Sequence, residues 1–182
     1  MAGSALVVPV AELLRRPGAQ RNVRVEVAAE GLSARDAHVP DGADVAVDVV
    51  LESLSDGITV DGEVRTTWEG TCRRCLGPAR GELRAEVHEL YQHDPMDEDA
   101  FRFEGDQLDL RPMVRELVMV ELPMAPVCRD DCRGLCPVCG ADRNEADRTG
   151  TDCGHGDTPA DARWAALDAL RSPRGERLPD SS

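Results

Sequence analysis

Cys128-Arg-Asp-Asp-Cys132-Arg-Gly-Leu-Cys136-Pro-Val-Cys139-Gly140 sets four thiols into one short segment, and the chain adds Cys72-Arg-Arg-Cys75 upstream and Cys153-Gly-His155 downstream. A Cys-x-x-Cys turn aims both sulfurs at one ion about 2.3 Å away. Gly140, just past Cys139, relieves the backbone where it has to turn. The pattern therefore reads as structural zinc, with a disulfide framework and a redox dithiol as the competing readings. Against disulfides, the opening MAGSALVVPVAELLRRPG has no basic n-region and only a short apolar run, so no secretory signal is expected. No segment approaches membrane-spanning length, and a cytoplasmic protein is expected. Seven cysteines are also an odd number for full pairing. Against a redox dithiol, Cys72-x-x-Cys75 lacks the βαβ context and the helix N-terminus that would lower a thiol pKa.

The candidate ligands are Cys72, Cys75, Cys128, Cys132, Cys136, Cys139, Cys153 and His155, enough for two tetrahedral sites. One or two zinc ions are implied, and two fit the ligand count. One division joins Cys72 and Cys75 to Cys128 and Cys132, and Cys136 and Cys139 to Cys153 and His155. It follows the zinc-ribbon habit in which a hairpin knuckle meets a second pair from elsewhere in the chain. The other gives Cys128, Cys132, Cys136 and Cys139 to one ion, and short loops leave it open. Closed sites keep no position for water, which argues against hydrolytic zinc chemistry. Arg73, Arg74, Arg129 and Arg133 lie inside the ligand turns, where they either touch phosphate oxygens or offset thiolate charge. His38, His88 and His93 are isolated, and nothing in the sequence assigns them a role.

Around these turns the first half alternates with period two, as half-buried strands do. Val23, Val25 and Val27 share a face; so do Val45, Val47, Val49 and Leu51, and then Val64, Thr66 and Trp68. Asp56-Gly57 signals a hairpin, with Asp61-Gly62 as a competing turn or bulge. Leu83, Ala85 and Val87 alternate beyond Pro78, so Cys72-x-x-Cys75 is expected at the tip of a second hairpin. Residues 93–109 are rich in Asp and Glu around Phe101 and Phe103 and read as an exposed linker. Asp109 and Pro112 open a helix with the stripe Leu110, Met113, Val114, Leu117 and Val118, expected to pack on the sheet, and Leu122-Pro123 ends it. Thr158-Pro159 opens a short last helix carrying Trp164 and Leu167. The expected fold class is α+β: an antiparallel β-rich domain with a packed helix and a cysteine-rich zinc-binding lobe. Its parts are an N-terminal segment and β-rich domain with the Cys72/Cys75 knuckle (1–92), the acidic linker (93–109), the helix, zinc-binding lobe and C-terminal helix (110–171), and a disordered tail (172–182).

A chain of 182 residues with two Phe, two Trp and one Tyr must build its core from Val, Leu and Ala. A bound zinc ion would supply folding free energy that so few aromatics do not. All positive charge comes from Arg, and the formal net charge of −14 makes broad, nonspecific nucleic-acid binding unfavourable.

Cys72-Arg-Arg-Cys75-Leu76 after a strand, Leu122-Pro-Met-Ala-Pro-Val-Cys128 leading into Cys132-Arg-Gly-Leu-Cys136-Pro-Val-Cys139-Gly140, and the closing Asp161-Ala-Arg-Trp164-Ala-Ala-Leu167 together resemble the YceD family, over about Val45 to Leu170. The chain departs from many relatives by carrying Cys153-Gly-His155 where they have Cys-Gly-Cys, and by a longer acidic loop from Ala141 to Asp152. The resemblance implies a non-enzymatic cytoplasmic factor that supports accumulation of large-subunit ribosomal RNA. A protein so acidic and poor in aromatics is a weak stacking reader of RNA. The expected partners are accordingly a basic ribosomal protein, precursor large-subunit ribosomal RNA, or both, with no membrane and no small-molecule substrate. The acidic residues between Asp94 and Asp109 supply the electrostatic match for the protein partner. A thiol-redox or redox-sensing zinc protein and a zinc-ribbon transcription regulator are the alternatives; the latter needs a basic recognition surface that the sequence does not show.

Overall fold

The computed structural model describes residues 4–95, 100–145 and 153–156. The chain forms two compact units, Met1–Gly134 and Leu135–Ser182. In chain order the first unit holds β1 (Val7–Pro9), α1 (Ala11–Leu14), β2 (Gln20–Ala28), β3 (Ser33–Ala34), β4 (Ala37–His38), β5 (Asp44–Ser53), β6 (Ile58–Thr71), β7 (Pro78–Gln92), β8 (Phe101–Arg102), β9 (Gln107–Asp109) and α2 (Arg111–Glu121). The α+β class and the antiparallel β-rich character expected from sequence are present. The helix expected after Thr158, the tail, and Asp97, Glu98 and Asp99 of the acidic stretch lie outside the described residues.

The frame of the first unit is the long hairpin β6–β7, paired without interruption from Ile58↔Tyr91 to Thr71↔Pro78. Alternation explains it: Val60, Val64 and Thr66 on one strand and Leu83, Ala85, Val87 and Tyr91 on the other are buried, and the residues between them look outward. On its other edge β6 is shared. Its first half pairs with β5, which in turn pairs with β2, and Glu69 and Gly70 pair with β4 of the short β3–β4 hairpin. Parallel pairing of β7 with β8 is the exception to the antiparallel rule, and β1 and β9 form a separate two-stranded ribbon.

Leu54 N–H donates to the Gly57 carbonyl, closing β5–β6 at the Asp56-Gly57 signal. The competing Asp61-Gly62 lies inside β6, with Gly62 facing Val49. There a Cβ would stand 2.2 Å from the Asp48 carbonyl oxygen. Close backbone approach, and not a turn, is why glycine sits at 62.

Within the stretch 93–109, expected as an exposed linker, the described residues from 100 on are drawn into the fold by their apolar side chains. β8 and β9 fall within it, and Phe103 and Leu108 are buried. Phe101 stacks on Tyr91 with ring centroids 5.1 Å apart, and the Tyr91 hydroxyl donates to the Asp109 carbonyl. The helix cap falls one residue later than expected, at Leu110, which has no side-chain cap, while the Asp109 carboxylate just before it accepts the Arg111 N–H at 3.0 Å and the Arg111 guanidinium at 2.6 Å. Met113, Val114 and Val118 of the expected stripe are fully buried, and α2 packs on β7 and β6. Leu122 leaves the helix with ψ 130°, the extended geometry that Pro123 demands. In a core built from Val and Leu, each fully buried side chain contributes about 1.5–3 kcal/mol. The hairpin is thereby rigid enough to hold a loop at its far end.

Candidate metal centres

That far end is the six-residue connection Cys72–Gly77 between β6 and β7. Cys72 N–H donates to the Gly77 carbonyl and Leu76 N–H returns to the Cys72 carbonyl, with Leu76 in the left-handed region at φ 59°. Both sulfurs of Cys72 and Cys75 are thus turned to one side. The segment after α2 comes up to meet them: Arg73 N–H donates to the Pro126 carbonyl, which delivers Cys128 and Cys132. Cys72 Sγ lies 3.8 Å from Cys132 Sγ, and Cys75 Sγ 3.7 Å from Cys128 Sγ. All four sulfurs fall within 4.8 Å of one another. A tetrahedral ion with bonds of about 2.3 Å would set its ligands about 3.8 Å apart, so the cage has the size a zinc ion needs.

In the second unit Cys136, Cys139, Cys153 and His155 gather in the same way, their ligand atoms within 4.8 Å. Gly140 N–H donates to the Cys136 carbonyl, and Cys136 N–H to the Ala141 carbonyl, folding the knuckle tightly. Arg143 reaches the Cys153 loop, its guanidinium donating to the carbonyls of His155 at 3.2 Å and Gly156 at 3.3 Å. Of the two divisions open on sequence, the geometry brings together the two-plus-two sets. Cys128 and Cys132 stay in the first unit, so no local four-thiol cage forms.

Each cage contains one thiol prepared to ionise. Burial opposes ionisation of Cys72, but the backbone N–H groups of Cys75, Cys128 and Arg74 turned toward its sulfur outweigh that and bring it down to about 6. At Cys136 the N–H groups of Cys139 and Val138 do the same, again to about 6. Cys128 goes the other way, pushed up to about 12 by burial and by the neighbouring thiols. Four thiols crowded this closely cannot all ionise alone, and a cation among them removes the obstacle. The donors are sulfur and imidazole alone, a set suited to a soft or borderline ion.

The arginines of the ligand turns are mostly engaged. Arg74 donates to the carbonyls of Asp130 at 2.8 Å and Cys132 at 3.1 Å, tying the β6–β7 tip to the Cys128–Cys132 loop. Arg129 pairs with Asp131 at 3.1 Å. Residue order puts Arg74 in the site but not its anchoring role, because carbonyl acceptors leave no mark in side-chain patterns. Nor does any side-chain pattern mark Gly134, whose φ is +72° and where a Cβ would stand 2.8 Å from the Arg74 carbonyl oxygen. Trp68 packs against the buried Cys72, Ala79 and Cys132, backing the first cage with apolar surface.

The family described as "Large ribosomal RNA subunit accumulation protein YceD" matches residues 60–171, a span that contains every residue of both cages. An uncharacterized protein of Mycobacterium tuberculosis is 33% identical over 96% of this chain and 86% of its own length. An uncharacterized protein of Mycobacterium leprae is 30% identical over 93% of this chain and 79% of its own length. The "Large ribosomal RNA subunit accumulation protein YCED homolog 1, chloroplastic" of Zea mays is 26% identical over 55% of this chain and 46% of its own length. No solved structure matches the chain.

Proposed function

The chain belongs to the YceD family of large ribosomal RNA subunit accumulation proteins, and from that premise we propose that it is a non-enzymatic factor supporting large-subunit ribosomal RNA accumulation in the cytoplasm. The observation that carries the reading is the family match across residues 60–171, which takes in both cages together with the hairpin end that presents one of them. Zinc held by Cys72, Cys75, Cys128 and Cys132, and by Cys136, Cys139, Cys153 and His155, would act as a cross-link. Four protein donors at each ion leave no position for a substrate or an attacking water. Its contribution is shape: it fixes loops that a core this poor in aromatics does not fix alone.

The net charge of −14 favours a basic ribosomal protein as the main docking partner, with RNA contact confined to local arginines. Cells depleted of this chain test the function: the ratio of large- to small-subunit ribosomal RNA is expected to fall, and an unchanged ratio would refute the reading. The docking step has its own test. Replacing Asp97, Glu98 and Asp99 with Asn or Gln should weaken binding to basic ribosomal proteins in a graded way and flatten its salt dependence, as expected of screened, additive attraction between charges. No change in affinity would remove the acidic stretch from the interface.

A further inference from the structure

The far end of the long hairpin from Cys72 carries an arginine-lined cleft. Gly18 N–H donates to the Ser53 carbonyl and Ser53 N–H to the Ala19 carbonyl, fastening the segment between α1 and β2 beside the β5–β6 turn. A cavity of about 670 Å³ opens there, lined by Arg15, Arg16 and Arg21 with Glu12 and Gln20. The three arginines are exposed. Arg21 spends one guanidinium N–H on the Pro9 carbonyl at 2.6 Å, which orients it and leaves its other donors free to face the cleft. Among the described residues Arg15 and Arg16 have no carboxylate partner.

In a chain with 35 Asp and Glu against 21 Arg, three arginines around one hollow, with a single acidic side chain among the described residues that line it, form a local exception. Guanidinium groups suit phosphate oxygens, to which they donate two parallel hydrogen bonds. Among the described residues no aromatic side chain lines the cleft, so these offer nothing for bases to stack on; the backbone is what they can hold. Elsewhere the acidic surface repels a polyanion, which would keep the contact confined to this end.

We propose that Arg15, Arg16 and Arg21 bind the phosphodiester backbone of an RNA strand without reading its sequence. The inference rests on the ribosomal RNA reading above and deepens it by giving the RNA a seat. That seat lies at the opposite end of β6 from the first thiol cage, which stays available to a protein partner. Fourteen residues of strand separate the two ends, roughly 45 Å of extended chain.

Fluorescence anisotropy of a labelled oligouridine with the zinc-loaded 182-residue chain tests it. Replacing Arg15, Arg16 and Arg21 with Gln should weaken binding roughly tenfold or more and lower the slope of log affinity against log salt by about two. Replacing Arg35 and Arg80, near the other end of the hairpin, should do neither. An affinity unchanged in the triple variant overturns the proposal, as does an equal loss in the Arg35 and Arg80 variant, which would report overall charge alone. Displacement of oligouridine by polyglutamate of equal charge as readily as by unlabelled RNA would assign the cleft to an acidic protein segment and also overturn it. Should the Arg21 change disturb folding, seen as a lowered urea midpoint, the Arg15→Gln, Arg16→Gln pair carries the same test. Because the large- to small-subunit RNA ratio in depleted cells is a separate readout, failure of the cleft leaves the family function standing.

Discussion

Asp109 shows how one residue serves two elements. Its carboxylate accepts the Arg111 N–H at the start of α2, while its carbonyl accepts the Tyr91 hydroxyl from β7. Asp109→Ala leaves the second and removes the first together with the ion pair to the Arg111 guanidinium; a hydrogen bond worth about 1 kcal/mol and an exposed pair worth little are lost, to be read from urea denaturation. The hydrogen bond from the Arg111 side chain holds the Asp109 carboxyl below its usual value of 3.8. A carboxylate depressed on folding stabilises above the unfolded pKa and loses that contribution as pH falls through the folded one. The stability gap between the native chain and Asp109→Ala should therefore be full at neutral pH and close progressively below about pH 4. A gap that persists at pH 2 would mean that the ionised carboxylate is not what holds the helix start.

At the scale of elements, the β6–β7 hairpin ties the core to the first cage, and two substitutions separate these roles. Gly62→Ala places a methyl 2.2 Å from the Asp48 carbonyl oxygen, against backbone that cannot move without breaking the β5–β6 ladder. A loss of more than about 2 kcal/mol in unfolding free energy is expected. Arg74→Ala leaves the sheet intact and removes two donors to the carbonyls of Asp130 and Cys132. Supporting bonds of this kind around a metal site are worth about 10- to 100-fold in metal affinity. Competition with a chromophoric chelator should accordingly show weaker zinc binding in Arg74→Ala with the same number of ions at saturation. Unaltered affinity would demote Arg74 to a surface residue.

At the scale of the whole molecule, the two units are expected to respond differently to metal removal. The first has a continuous apolar core from Leu6 to Leu122, whereas the buried hydrophobic residues found in the second among those described reduce to Cys136. Metal analysis should find close to two zinc ions per chain. Chelation should abolish hydrogen-exchange protection in residues 135–145 and 153–156 while β5, β6 and β7 stay protected; loss of both together would show one cooperative block. Binding should weaken as pH falls, because zinc must displace protons from thiols such as Cys128, whose pKa is raised to about 12.

Much of this was legible from residue order. Period-two valines specify which strand faces are buried, whatever those strands pair with, and Cys-x-x-Cys turns specify ligand pairs because the geometry that converges two sulfurs is local. Pro123 likewise stops α2 by a local clash. Three matters needed the folded chain. Which thiol pairs share a cage depends on the path from α2 back to the hairpin tip, a long-range arrangement that short loops alone left open. Whether 93–109 is linker or structure turned on Phe103 and Leu108 finding a core to enter, against a charge pattern that pointed outward. The place of Gly62 was settled by the approach of β5 from across the sheet. Local sterics and alternation act through neighbouring residues and can be read along the chain; cage membership, burial against charge and close backbone approach depend on atoms far apart in sequence, which only the tertiary structure brings together.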